Sequence, residues 1–125
     1  MKQVFISYKY EDIKYKNKIK NWAIEKRLGD INIIGETEDV RQGGMNAIQQ
    51  HLSPKLTGAS CVLVLVGNDT HNSVGVDYEI KHAKSQNKKI IVVRIPQTTG
   101  AAPIIIRNIK EVVFDPNAIK NAIES

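Results

Sequence analysis

The sequence predicts a three-layer α/β domain, a five-stranded parallel sheet with helices on both faces. Short apolar runs alternate about five times with segments of helical period along the 125 residues. Two of these runs, Cys61 to Val66 and Ile90 to Val93, are apolar at odd and even positions alike and rich in Val and Ile. A strand buried on both faces of a parallel sheet reads this way. Parallel neighbours need crossovers, and right-handed crossovers place helices on both faces of the sheet. The length fits one domain, residues 1–125, large enough to bury a core.

Val4-Phe5-Ile6 forms a first strand that ends in the polar Ser7. Asp12 caps a helix expected to run to about Leu28, with Ile19, Trp22 and Ala23 inward and Gly29 as its stop. Ile31 to Ile34 is a short second strand, followed by an acidic loop over Glu36 to Asp39 and the pair Gly43-Gly44. Met45, Ile48, Leu52 and Leu56 recur at helical spacing, and Pro54 kinks or ends that helix. After the Cys61–Val66 strand, Gly67 to Ser73 is a loop, and Val76, Ile80 and Ala83 mark a third helix. Pro96 to Pro103, with Gly100 between them, is expected to be a flexible loop. Val112-Val113-Phe114 is the last strand. Asp115-Pro116 then supplies a cap and a first-turn proline for a final helix with Ile119, Ala122 and Ile123 inward.

Composition narrows the function classes. Hydrophobic residues at 42% and charged residues at 25% suit a globular domain rather than a disordered tail or a fibre. No apolar run approaches the roughly 18–20 residues that cross a bilayer, and the opening Met1-Lys2-Gln3 does not lead into a signal-peptide core. The single cysteine, Cys61, excludes an internal disulfide and fits a reducing cytoplasm, so a cytoplasmic protein without membrane contact is expected. The net charge of +5 belongs to residues 1–28, which carry eight bases and three acids, while the remainder is neutral. Lys14, Lys16, Lys18 and Lys20 alternate, so on a helix they scatter over several faces and form no groove-reading stripe. A solvated helix is therefore expected, not a nucleic-acid interface.

In such a sheet, ligands bind outside the carboxyl ends of the strands. Those ends carry Ser7 and Tyr8, the loop through Asp39, the segment Gly67 to Asn72, and Pro96 onward. A phosphate-binding Gly-rich turn ending in Lys-Ser or Lys-Thr is missing, and Ser7-Tyr8-Lys9-Tyr10 replaces the spaced glycines of a dinucleotide fingerprint. A phospho-acceptor receiver needs acids at the first strand end, where Ser7 stands. His51, His71 and His82 are scattered, so no metal site is expected, and Cys61 opens a buried strand as a packing thiol. Glu79 remains. At 100° per residue it lies about 60° to one side of the Val76–Ile80 stripe, at the border of core and solvent. It is either an ordinary surface glutamate paired with Lys84 or Lys9, or a group of a site. Partial burial there favours the protonated carboxyl, and the nearby helix N-terminus favours the carboxylate.

The segment from Leu56-Thr57-Gly58-Ala59-Ser60 through the Cys61–Val66 strand to Gly67-Asn68-Asp69-Thr70-His71-Asn72-Ser73 and Val76-Asp77-Tyr78-Glu79-Ile80 resembles the TIR-like family of the bacterial Thoeris antiphage defence protein ThsB. The opening Val4-Phe5-Ile6-Ser7-Tyr8-Lys9-Tyr10-Glu11-Asp12 is similar to that family's first strand and loop, and Glu38-Asp39 to its acidic pair. The likeness extends to about Ile95. It implies a flavodoxin-like, TIR-like fold and an NAD-consuming enzyme that cuts the nicotinamide–ribose bond, with NAD as substrate and no resident cofactor. Members hydrolyse NAD or re-attach the ADP-ribose to make a signal nucleotide. That product activates a separate effector protein during phage infection, with a phage-derived trigger and homo-oligomers as further expected partners.

By the same resemblance Glu79 matches the catalytic glutamate. A fixed carboxylate suits the chemistry, because departing nicotinamide leaves an oxocarbenium-like ribose. The candidate substrate-binding residues are Phe5, Ser7, Tyr8, Tyr10, Asp39 and Asn72. Phe5, Tyr8 and Tyr10 make an aromatic wall, or else Phe5 is core and the tyrosines face solvent. Ser7 bonds the substrate or satisfies a strand end, Asp39 reaches a ribose or lines a loop, and Asn72 caps the third helix or touches substrate. Gly75 stands four before Glu79, where many TIR-related enzymes carry an aromatic, so a catalytically silent adaptor that self-associates or docks a partner is the alternative.

Overall fold

A computed structural model describes residues 1–35 and 55–125. Glu36 to Asp39, Gly43-Gly44, and Met45, Ile48, Leu52 and Pro54 of the expected second helix lie outside the described residues. The described elements are β1 (Lys2–Ser7), α1 (Ile13–Ile24), β2 (Ile31–Ile34), β3 (Cys61–Val66), α2 (Val74–Ser85), β4 (Lys89–Arg94), β5 (Glu111–Val112) and α3 (Pro116–Glu124). Short 3₁₀ turns at Tyr10–Asp12, Thr70–Asn72 and Ile104–Ile106 punctuate the connections.

The five strands form one sheet in the order β2-β1-β3-β4-β5, with every neighbouring pair parallel. The three-layer arrangement expected from the apolar runs is therefore present. Along β3, Cys61, Leu63 and Leu65 enter one core, with Ile19, Trp22 and Ala23 of α1 and Ile119 and Ile123 of α3. Val62, Val64 and Val66 enter the other, with Val76, Ile80 and Ala83 of α2, Leu56 and Ile106. All six β3 side chains are buried, as a strand without polar alternation requires. The chain leaves β1 toward β2 on one side and β3 toward β4 on the other, so a crevice opens between the carboxyl ends of β1 and β3.

Several boundaries differ from expectation. The first helix ends at Ile24, not near Leu28, because Lys26 adopts a left-handed backbone, φ 64°. Arg27 N–H then donates to the Trp22 carbonyl and Lys26 N–H to that of Ala23, a Schellman closure that normally recruits glycine. Gly29, φ 88°, serves the later turn into β2. Asp12 precedes α1, yet its side chain makes no capping bond. The last strand is Glu111–Val112, and Phe114 instead packs its ring 5.5 Å from Tyr15 and 5.0 Å from Trp22. Asp115 caps α3 as expected, accepting from Ala118 N–H at 3.0 Å.

The segment from Pro96 to Pro103 is pinned rather than loose. Arg94 donates to the Gly100 carbonyl at 2.7 Å and grips Glu111 through two bonds of 3.1 and 2.6 Å. A Cβ at Gly100 would stand 2.2 Å from the Asn68 carbonyl oxygen, so only glycine lets this loop lie against the β3–α2 connection.

Candidate functional site

The chemistry gathers at the carboxyl ends of β1 and β3. Strand alternation turns Phe5 and Ser7 toward α2, and Val4, Ile6 and Tyr8 toward α1. Ser7 closes β1, opposite Val64 of β3. Ser73 caps α2 by accepting from Val76 N–H at 3.2 Å, which fixes where the helix starts and so where Glu79 falls.

Glu79 is fully buried, not at the border of core and solvent expected from its angular offset from the Val76–Ile80 stripe. The buried stripe of α2 is Val76, Glu79, Ile80 and Ala83, a complete i, i+3, i+4, i+7 set facing the sheet. Ser7 is equally buried, and its hydroxyl donates a short hydrogen bond to Glu79 Oε1. Two of the expected site residues thus meet across 72 positions of sequence. Lys9, one expected partner of Glu79, is engaged elsewhere. Its ammonium holds Asp69 and, at 3.0 Å, Glu11.

The other expected residues distribute differently. Phe5 lies in the α2-side core below Ser7, while Tyr8 is buried in the α1-side core and not solvent-facing. Lys16 places its ammonium 6.0 Å from the Tyr8 ring centroid. Tyr10 is half-buried in the 3₁₀ turn before α1. Asn72 is exposed and does not cap α2; its amide donates to Asp69 Oδ1. Asp39 lies outside the described residues.

The loops above the crevice are tied to each other. Gly67 N–H donates to the buried Thr70 hydroxyl at 2.8 Å, folding the β3–α2 connection back on itself. The Lys9–Asp69 pair then joins the β1–α1 loop to that connection. It lowers the Asp69 pKa, with help from Asn72, and raises that of Lys9. Sequence reasoning missed Asp12. Its half-buried carboxylate faces Gly67, where a Cβ would stand 2.9 Å from Asp12 Oδ2. Desolvation, followed by the charge of Glu11, raises its pKa, and Lys9 acts in the other direction. The signal available in the sequence was an Asp before a helix facing a glycine beyond a buried strand, a pairing only the fold reveals.

Among the described residues no group of three or more His, Cys, Asp or Glu side chains is placed to hold a metal ion. Burial raises the Cys61 thiol pKa, as suits packing rather than nucleophilic use. No described helix is long and apolar enough to cross a membrane. A buried carboxylate held by a serine at a switch-point crevice can stabilise positive charge developing on a bound sugar.

Residues 5–100 match the family described as Thoeris protein ThsB, TIR-like domain. Among solved structures, the TIR domain of the Toll-related receptor TRR-2 from Hydra magnipapillata is similar, with TM-score 0.64 and 13% identity. That match covers 90% of this chain and 84% of the receptor domain chain. A prokaryotic SEFIR domain matches with TM-score 0.58 and 17% identity, over 99% of this chain and 88% of the other. Identities this low speak for a shared fold alone. No curated protein sequence matches the chain.

Proposed function

The chain belongs to the TIR-like domain family of the Thoeris protein ThsB, and we propose that it is an enzyme that cleaves the nicotinamide–ribose bond of NAD. The observation that carries this reading is the Ser7–Glu79 pair, buried at the carboxyl edge of the sheet within the matched residues. Nicotinamide departs with the bonding electrons and becomes neutral, leaving an oxocarbenium-like ribose. A carboxylate beside that ribose opposes the developing charge, and a low local dielectric strengthens the effect. Ser7 holds the Glu79 oxygen in place. Water attacking the anomeric carbon yields ADP-ribose and a proton; an oxygen or nitrogen of the ADP-ribose itself yields a cyclic product. Nicotinamide is a good leaving group, so neither a strong general acid nor a metal is needed. The product acts on a separate effector protein in antiphage signalling, inside the cytoplasm where NAD is abundant.

Full burial of Glu79 also means that substrate reaches it only when the groups above it move. That suits an enzyme that waits for a phage-derived trigger or for self-assembly. The same burial, with Gly75 in the first turn of α2, favours the second reading, a silent adaptor. Incubation with NAD, alone and in phage-challenged lysate, separates them. The enzyme reading expects nicotinamide from the wild type and release about 10²–10³-fold slower from Glu79→Gln. No release from either protein under challenge would give the adaptor reading the field.

A further inference from the structure

We propose that Asp12 is a second substrate-binding carboxylate of this site, accepting hydrogen bonds from ribose hydroxyls of the dinucleotide on the α1 side of the crevice. The proposal rests on the NAD reading above and extends it to a residue which that reading does not use. Three observations carry it.

Asp12 stands in the β1–α1 loop at the carboxyl edge of the sheet, on the face opposite Glu79, so the two carboxylates flank the crest between β1 and β3. It is half-buried, yet its carboxylate makes no hydrogen bond or ion pair among the described residues. A carboxylate in the capping position that caps nothing has acceptor capacity left for a ligand. The neighbouring cation, Lys9, is already divided between Asp69 and Glu11. Finally, the absence of a side chain at Gly67 makes room for the carboxylate, because a Cβ would come within 2.9 Å of Oδ2.

The spacing suits a dinucleotide. Gly67 lies three residues beyond Val64, the partner of Ser7. At strand rise this puts Asp12 roughly 10 Å along the sheet from the Ser7 level. A molecule whose two riboses are joined through a pyrophosphate can touch both carboxylates. Neutral hydroxyl donors fit Asp12 better than a metal does, since no group of three metal-ligating side chains is assembled there among the described residues.

The test is calorimetric titration of NAD into Glu79→Gln, in which turnover is expected to be slowed about 10²–10³-fold, and into the same protein carrying Asp12→Asn. The expected result is binding about tenfold weaker without the Asp12 carboxylate, the size of a lost charged hydrogen bond, and no fall in melting temperature. Gly67→Ala in the Glu79→Gln protein should weaken binding similarly by displacing the carboxylate. Combined with Asp12→Asn it should add nothing, because Gly67 acts through Asp12. Equal affinity with and without Asp12, losses that add, a fall in melting temperature that tracks the lost affinity, or no NAD binding overturns the proposal. Binding that depends on Asp12, together with a wild type that releases no nicotinamide under phage challenge, would leave the proposal standing and sink the catalytic reading. Release that depends on Glu79, with binding indifferent to Asp12, would do the reverse.

Discussion

Glu79 and Asp12 sit on opposite sides of the crest of one sheet, and they are kept in different ways. Glu79 is wholly buried, held by the Ser7 hydroxyl on a helix packed along its length. Asp12 is half-buried, its carboxylate unbonded among the described residues, and set in a short turn against a glycine. The fold holds Glu79 buried and oriented by Ser7, and leaves the Asp12 carboxylate without a hydrogen-bond partner among the described residues. A carboxylate meant to stabilise a transition state gains from being pre-oriented, whereas one meant to meet a substrate gains from being open.

Removing the Glu79 charge should have the largest effect. Glu79→Gln keeps the shape and an acceptor for Ser7, and nicotinamide release should fall by about 10²–10³-fold, measured by chromatography. Ser7→Ala leaves the charge but frees its orientation. Loss of a hydrogen bond to a charged group predicts release slower by roughly ten- to a hundredfold, read in the same assay.

A structural change comes third, because both loops rest on the same support. Gly100→Ala drives a methyl group into the Asn68 and Gly67 carbonyls, at 2.2 and 2.5 Å, where neither side is a flexible side chain. Destabilisation of about 2 kcal/mol or more is expected in urea unfolding, since backbone must move to relieve the collision. The Asp12 side of the crest should loosen with it, because Gly67 is part of that support.

The smallest effect concerns pH. The folded-state pKa of Asp12 is raised above its ordinary 3.8 by desolvation and then by Glu11. The folded state therefore holds the Asp12 proton more tightly than the unfolded state, and stability is lost as pH rises from 3.8 through the folded value. Asp12→Asn removes that loss. Its melting temperature should lie slightly above wild type at pH 7 and meet it below pH 3.8. A lower value at pH 7 would mean that Asp12 stabilises its loop, and the contrast with Glu79 would collapse.

Much of the fold was legible because strand burial is a local signal. The runs Ile31–Ile34 and Cys61–Val66 match β2 and β3 residue for residue, and Asp115-Pro116 marked the start of α3. The end of α1 was not legible, because a lysine takes the left-handed position where glycine is the usual sign. Glu79 stood out as the carboxylate of interest, yet its offset of about 60° from the Val76–Ile80 stripe set it at the border of core and solvent, and only the packed stripe of α2 shows it inside. Its serine partner is 72 residues away, beyond any periodicity. Asp12 was not legible as a site residue, because a cap explains an Asp before a helix and only the folded chain reveals that its side chain caps nothing. The loop after β4 read as flexible from its Pro and Gly content, although Arg94 and the contact at Gly100 hold it down.

The central claim is that Ser7 and Glu79 work as one unit on the nicotinamide–ribose bond. A double-mutant cycle on nicotinamide release, under conditions that activate the wild type, tests it most directly. If Ser7 acts by orienting Glu79, the Ser7→Ala/Glu79→Gln protein releases nicotinamide no more slowly than Glu79→Gln alone. If the two losses multiply, or if Glu79→Gln keeps the wild-type rate, the pair is not the reactive unit.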